Sequence, residues 1–219
     1  GTKFWTVDND ADKLIQWTLS GFADTTPTYE YAISISSQTG GAQDISVPSP
    51  GNYIYVIDSS NVFRYNLSSA YNLNFAASHS QTYSSQGGEG LDVSDDGTKF
   101  FVVKDDTNQV KEFTMSTAYD LSTASNTNNY TLSDAASSGL KAIRFKESGT
   151  RLFILKSDDT IYEWSLSTGY DLSTVSFVGS VSPSLGDSTN QGFDIADGDL
   201  RTLNDFKRFG KALGVDIKK

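Results

Sequence analysis

A glycine-led segment returns four times along this chain, and that periodicity limits the fold more than any other feature. Gly1-Thr2-Lys3-Phe4-Trp5-Thr6-Val7-Asp8 matches Gly97-Thr98-Lys99-Phe100-Phe101-Val102-Val103-Lys104. Gly149-Thr150-Arg151-Leu152-Phe153-Ile154-Leu155-Lys156 matches again, and Gly51-Asn52-Tyr53-Ile54-Tyr55-Val56-Ile57-Asp58 is a looser copy. The copies start at 1, 51, 97 and 149. Each is followed by a polar turn and a second apolar stretch: Leu14 to Leu19, Val62 to Leu67, Val110 to Met115 and Ile161 to Leu166. An aromatic holds one register in these stretches, at Trp17, Tyr65, Phe113 and Trp164. Alternating apolar residues on either side of a polar turn predict an antiparallel hairpin.

Three copies add a Tyr-Asx-Leu piece, at Tyr71-Asn72-Leu73, Tyr119-Asp120-Leu121 and Tyr170-Asp171-Leu172. It reads as a tight connection whose Tyr and Leu plug onto the sheet. The first copy departs here, with Gly21-Phe22-Ala23-Asp24. A more variable strand follows, as in Ser125 to Leu132 and Val175 to Val181. A fourth strand closes each unit, at Ala42 to Val47, Gly90 to Val93, Leu140 to Phe145 and Gly192 to Ile195. Four such units predict an all-β propeller of four blades over residues 1–198, each blade four antiparallel strands. The chain opens on the second strand of a unit, so Gly192 to Ile195 could complete the blade begun by Gly1 to Val7. That would hide both terminal edges. A longer parent chain or a second chain could supply further blades.

Composition agrees. The apolar fraction is 37%, and 12% of the chain is Phe, Trp or Tyr, so a modest core contains many aromatic side chains. The formal charge is −10. A surface of that sign repels a phosphate backbone, which argues against nucleic acid as a partner. The absence of cysteine excludes disulfides and thiolate metal sites. No apolar run is long enough to span a membrane.

Residues 199–219 fall outside the repeat. Six Lys and Arg against two Asp give residues 200–219 a net +4, on a body near −14. Leu203, Phe206, Phe209 and Leu213 recur at helical spacing, with Lys207, Arg208 and Lys211 between them. This predicts a short basic amphipathic helix. It would pack over the propeller or dock the chain to other virion or surface-assembly proteins.

Asp8, Asp10 and Asp12 offer hard oxygen ligands at alternate positions, the chemistry of a calcium loop. Lys13 and Leu19 stand where an EF-hand needs Gly and Glu, so only a hairpin-turn calcium site is open, and no other cofactor is expected. Asp105, Asp106, Asp158 and Asp159 sit in equivalent turns, which favours a structural role. His79 is the single histidine, in a polar stretch without a nucleophile elbow. Asp92 and Asp194 occupy matching Gly-Leu-Asp-Val and Gly-Phe-Asp-Ile strands, with Asp44 aligned to them and Ala142 or Lys141 in the third copy. A carboxylate pair could hydrolyse a glycoside. A recurring Asp more often ties neighbouring blades together. Tyr29, Tyr31, Tyr83 and Tyr130, in variable outer segments, could stack on sugar rings or pack within blades.

The runs Gly-Thr-Lys-φ-φ-Val and Leu-Ser-Thr-Ala-Tyr-Asp-Leu-Ser-Thr-Ala (φ, an apolar residue) resemble a β-propeller repeat found in marine phage virion proteins and bacterial surface proteins. The likeness is strongest over Asp96 to Ala124 and Gly149 to Val175. The resemblance implies a virion structural, decoration or tail-fibre protein, extracellular or on the virion surface, that displays loops to a host glycan or receptor and is not an enzyme. A bacterial lectin-like adhesion propeller is the alternative, with a glycoside-active propeller enzyme behind it.

Overall fold

The computed structural model describes residues 3–20, 26–73, 77–84, 86–132 and 139–182. These form fifteen strands in four antiparallel sheets, the blades of a four-blade β-propeller. Blade 1 holds β1 (Lys3–Asp8), β2 (Lys13–Thr18) and β3 (Thr28–Ser34). Blade 2 holds β4 (Ala42–Ser46), β5 (Tyr53–Asp58), β6 (Asn61–Asn66) and β7 (Ser78–Ser84). Blade 3 holds β8 (Gly90–Val93), β9 (Lys99–Val103), β10 (Gln109–Met115) and β11 (Ala124–Thr131). Blade 4 holds β12 (Leu140–Lys146), β13 (Arg151–Lys156), β14 (Ile161–Leu166) and β15 (Val175–Val181). Each blade runs in chain order from its inner to its outer strand. Within the described residues blade 1 has three strands, and the expected closing strand Gly192 to Ile195 lies outside them, as does the whole 199–219 tail.

The recurring aromatic register has a structural counterpart. In every blade the strand next to the outermost one slips by one residue against that outer neighbour. The slips fall at Gln16/Trp17, Arg64/Tyr65, Glu112/Phe113 and Glu163/Trp164. A bulge of this kind adds local twist. The same bulky ring follows it each time, packing against Phe4, Ile54, Phe100 or Leu152 directly opposite.

The core lies between blades. Tyr55, Ile57 and Val62 of blade 2 pack on Leu91, Phe100 and Phe113 of blade 3. Phe101, Val103 and Val110 of blade 3 pack on Ile143, Leu152 and Trp164 of blade 4. Leu14 of blade 1 joins Ile54, Val56 and Phe63 of blade 2. Blades 2 and 3 are thus apolar on both faces, which is why their middle strands read as unbroken apolar runs instead of a clean alternation.

Acidic residues in the turns cap backbone amides. Asp8 Oδ1 accepts the Ala11 N–H at 3.0 Å, Asp58 Oδ1 accepts those of Ser60 and Asn61 at 2.7 Å, and Asp158 Oδ1 accepts that of Thr160 at 3.0 Å. Short Asp side chains serve this purpose because they reach back only two or three residues.

The Tyr-Asx-Leu piece plugs the blade as expected. Tyr71, Tyr119 and Tyr170 take left-handed backbone, with φ of 56°, 64° and 59°. Each donates its N–H to the carbonyl of the repeat glycine, Gly51, Gly97 or Gly149, at 2.7 to 3.0 Å. The ring then lies flat on that glycine. A Cβ on Gly97 would stand 2.4 Å from the Tyr119 ring, so only glycine fits. The next turn of chain is a 3₁₀ segment, Leu121–Thr123 or Leu172–Thr174, capped by Asp120 or Asp171.

Candidate functional site

Side chains of the inner strands converge on the axis. Strand register places Ser46 opposite Tyr55, Asp92 opposite Phe101 and Arg144 opposite Phe153. Those three aromatics are the fifth residues of their repeats, so Ser46, Asp92 and Arg144 form one level of the ring. This corrects the sequence alignment in two places. Asp44 lies two residues before that level, opposite Ile57, and the third copy fills the level with Arg144 instead of Ala142 or Lys141. Matching the apolar flanks of Ile143-Arg144-Phe145 to Leu91-Asp92-Val93 would have found the arginine.

The ring is tied by buried polar contacts. Asp44 Oδ2 accepts the Leu91 N–H at 3.0 Å, joining blades 2 and 3. Asp92 Oδ2 accepts the Phe145 N–H at 2.6 Å, joining blades 3 and 4, and its Oδ1 accepts the Ser46 hydroxyl at 3.0 Å. Arg144 reaches back to blade 2, where its two terminal nitrogens donate to Asp44 at 2.9 and 2.8 Å. The guanidinium also donates to the carbonyls of Leu91 and Ile45. The recurring acids therefore do the work expected of blade ties. Burial pushes the Asp92 carboxyl up to about 6, against the opposing pull of Arg144 and the Phe145 N–H.

On one side of this level the axis opens into a cavity of about 560 Å³. Asp92 and Arg144 line it, with Trp5, Tyr71, Tyr170 and Lys146 among the surrounding residues. Tyr170 is fixed at its rim, its hydroxyl 3.2 Å from the Asp95 carboxylate. At the other end Lys141 pairs with Asp105 at 2.9 Å and Glu89 at 3.7 Å. A carboxyl raised well above its usual range by burial, beside cationic and aromatic side chains, can hold a polar ligand or exchange a proton with it.

The remaining candidates distribute as follows. Asp8 is engaged by Ala11, and Asp12 takes left-handed backbone with φ of 48°. Among the described residues no group of three or more His, Cys, Asp or Glu side chains lies together as a metal ion would need. His79 lies on β7, exposed, with Nε2 3.0 Å from Thr82 Oγ1 and its ring edge against Tyr65. Tyr83 packs edge-on to Phe100 and Phe113, and Tyr130 packs on the core between blades 3 and 4. Tyr29 differs, being 56% exposed with its ring edge to Trp17. Phe177 and Val178, unremarked in the sequence, are exposed on β15. Asp194 and the residues expected to dock, Leu203, Phe206, Lys207, Arg208, Phe209, Lys211 and Leu213, lie outside the described residues. No described helix is long and apolar enough to cross a membrane.

The sequence matches no protein-family profile and no curated protein. Solved structures do share its fold. A structural-genomics protein of Lactobacillus plantarum superposes with a TM-score of 0.54 at 16% identity, covering 90% of this chain and 58% of that one. A candidate 6-phosphogluconolactonase of Bacteroides fragilis superposes with a TM-score of 0.54 at 13% identity and the same coverage. Another, from Bacteroides uniformis, gives 0.53 at 14% identity, also covering 90% and 58%. The chain thus spans a little over half the length of these neighbours. Their names correct the expectation that the chain is not an enzyme. That expectation rested on a repeat resemblance, and propellers of this architecture include proteins named for catalysis.

Proposed function

We propose that this chain is a rigid binding and display module of a virion or cell-surface assembly, and that its outer blade strands recognise an uncharged glycan. One observation carries the reading. The outer strands β7, β11 and β15 contain no Asp, Glu, Lys or Arg, and β3 contains Glu30 alone, in a chain with 44 charged residues. Their faces are Ser, Thr, Asn and Gln with scattered aromatics. Such surfaces suit adaptable hydrogen bonding and stacking on sugar rings. The braced axis beneath supplies rigidity, which lowers the entropic cost of binding. Screening the full chain against a glycan array tests this. Binding to neutral glycans that falls at least tenfold in Tyr29→Ala or Phe177→Ser supports the reading, and an array with no binding overturns it.

A second reading is hydrolysis of a sugar lactone at the axial cavity. It is favoured by Asp92, a carboxyl raised to about 6 at the cavity wall. The names of the Bacteroides neighbours suggest the substrate class. Turnover of 6-phosphogluconolactone above the spontaneous rate, abolished in Asp92→Asn, is the expected result. Hydrolysis no faster than in buffer removes this reading.

A further inference from the structure

The hairpin tips of the four blades differ in charge. Blade 1 turns through Asn9-Asp10-Ala11-Asp12, blade 3 through Asp105-Asp106-Thr107-Asn108 and blade 4 through Ser157-Asp158-Asp159-Thr160. Blade 2 turns through Ser59-Ser60-Asn61, with no acid at the tip. The acid before it, Asp58, is folded back onto the N–H groups of Ser60 and Asn61, both at 2.7 Å. The eighth residue of each repeat differs as well, being Asp8, Asp58, Lys104 and Lys156. Lys156 lays its ammonium over the Tyr162 ring at 5.5 Å. Lys104 instead lines a cavity of about 320 Å³ between blades 2 and 3, together with Ser59, Ser60, Asn61 and Gly87. We infer that this cavity is a binding site for a phosphate or sulfate group.

The backbone shapes the site. The Gly88 N–H donates to the Asp58 carbonyl at 2.9 Å, which holds the Gln86-Gly87-Gly88 segment between β7 and β8 against the hairpin tip. A Cβ on Gly87 would stand 1.9 Å from the Ser60 nitrogen, so only glycine permits that approach. Among the described residues, the side chains of Ser59, Ser60, Asn61 and Lys104 make no hydrogen bond or ion pair. Two hydroxyls, one amide and one ammonium are therefore open to a ligand.

The surrounding charge favours an anion. Among the described residues no carboxylate lines the cavity. Glu89 and Asp105 are drawn to Lys141, at 3.7 and 2.9 Å. A second ammonium, that of Lys111, reaches the same segment at Gln86 Oε1, 3.4 Å away. On a chain of net charge −10, a concave spot with a cation, several neutral donors and no acid selects a ligand rich in acceptor oxygens. The cavity volume falls at the low end of the range for small-molecule sites, so there is room for an ester that carries the oxyanion as well as for the free ion. The site lies apart from the axial cavity and does not depend on the function proposed above.

The full chain, titrated with inorganic phosphate and with sulfate at constant ionic strength, is expected to show saturable amide NMR shifts centred on Ser59, Ser60 and Gly87. Lys104→Met should weaken binding at least about fivefold, and Lys104→Arg should retain it. Lys13→Met, at an exposed position of β2, should leave it unchanged. Glucose 6-phosphate binding more tightly than inorganic phosphate supports an ester as the ligand, and equal or weaker binding supports the free ion. Shifts that do not saturate, that chloride reproduces, or that persist undiminished in Lys104→Met overturn the inference. So does saturable binding centred elsewhere on the chain.

Discussion

Arg144 of β12 grips Asp44 of β4 across the propeller axis, each terminal guanidinium nitrogen within 2.9 Å of a carboxylate oxygen. The two residues are 100 positions apart and belong to blades separated by a third. Both side chains are mostly buried, at 11% and 4% exposure. The pair acts as a tie rod, closing the inner ends of blades 2, 3 and 4 into one unit.

Removing one partner leaves the other buried and uncompensated. Arg144→Met and Asp44→Asn are each expected to cost about 3–5 kcal/mol, measured by urea denaturation. The double substitution should recover part of the loss, since it leaves no unpaired charge. Additive losses in the double variant would show that the two residues are not coupled.

Stability should depend on pH in a direction unusual for a carboxylate. Asp92 is raised by burial from 3.8 to about 6. A raised carboxyl contributes its stabilisation fully below the unfolded pKa and loses it as pH climbs through 6. Glu30 is lowered from 4.5 to about 2 by hydrogen bonds from Thr18, Gln16 and Lys3. Its contribution is present above 4.5 and fades as pH falls toward 2. The urea midpoint is therefore expected to be higher at pH 5 than at pH 7 and to drop below pH 4. Asp92→Asn should flatten the difference between pH 5 and 7. An unchanged slope in that variant would show that Asp92 does not set it.

The tyrosine plugs demand glycine. Gly97 has φ of +69°, and an added methyl would meet the Tyr119 ring. Gly97→Ala is expected to destabilise by at least about 1–3 kcal/mol through backbone strain and displacement of the ring. Ala at Gly40, where nothing stands within 4 Å, should change the thermal midpoint far less. Equal shifts at the two sites would contradict the packing.

The basic tail is predicted to dock the chain to its assembly. Deleting residues 200–219 should leave the urea midpoint of the propeller unchanged and abolish incorporation into particles or surface assemblies. Undiminished incorporation by the truncated chain would reject a docking role for Phe206, Phe209 and their basic neighbours.

Strand positions were legible in the sequence because a buried blade repeats the same apolar run and polar turn each time. Gly90–Val93, Ile161–Leu166 and Val175–Val181 appear in the structure with the boundaries read from the repeat. The plugging of the Tyr-Asx-Leu piece onto the blade was also legible, since it returns 20 to 22 residues after the repeat glycine in three copies, although its seat on that glycine was not. Other positions were not. Asp44 was aligned with Asp92, but the β4–β5 pairing sets it two residues away, because composition carries no signal of a register shift around Ala42 and Asp44. Tyr83 and Tyr29 read alike in the sequence, yet one packs on Phe100 and the other is exposed.

The repeat alone determined that this chain makes a ring of similar sheets, because only stacked copies can bury an apolar strand on both faces. Which polar groups meet at the centre was decided by tertiary structure. Inner strands from distant parts of a chain can place an arginine and an aspartate side by side only once the blades are assembled. Local sequence governs hydrogen bonds within a few residues, and the Arg144–Asp44 contact spans a hundred.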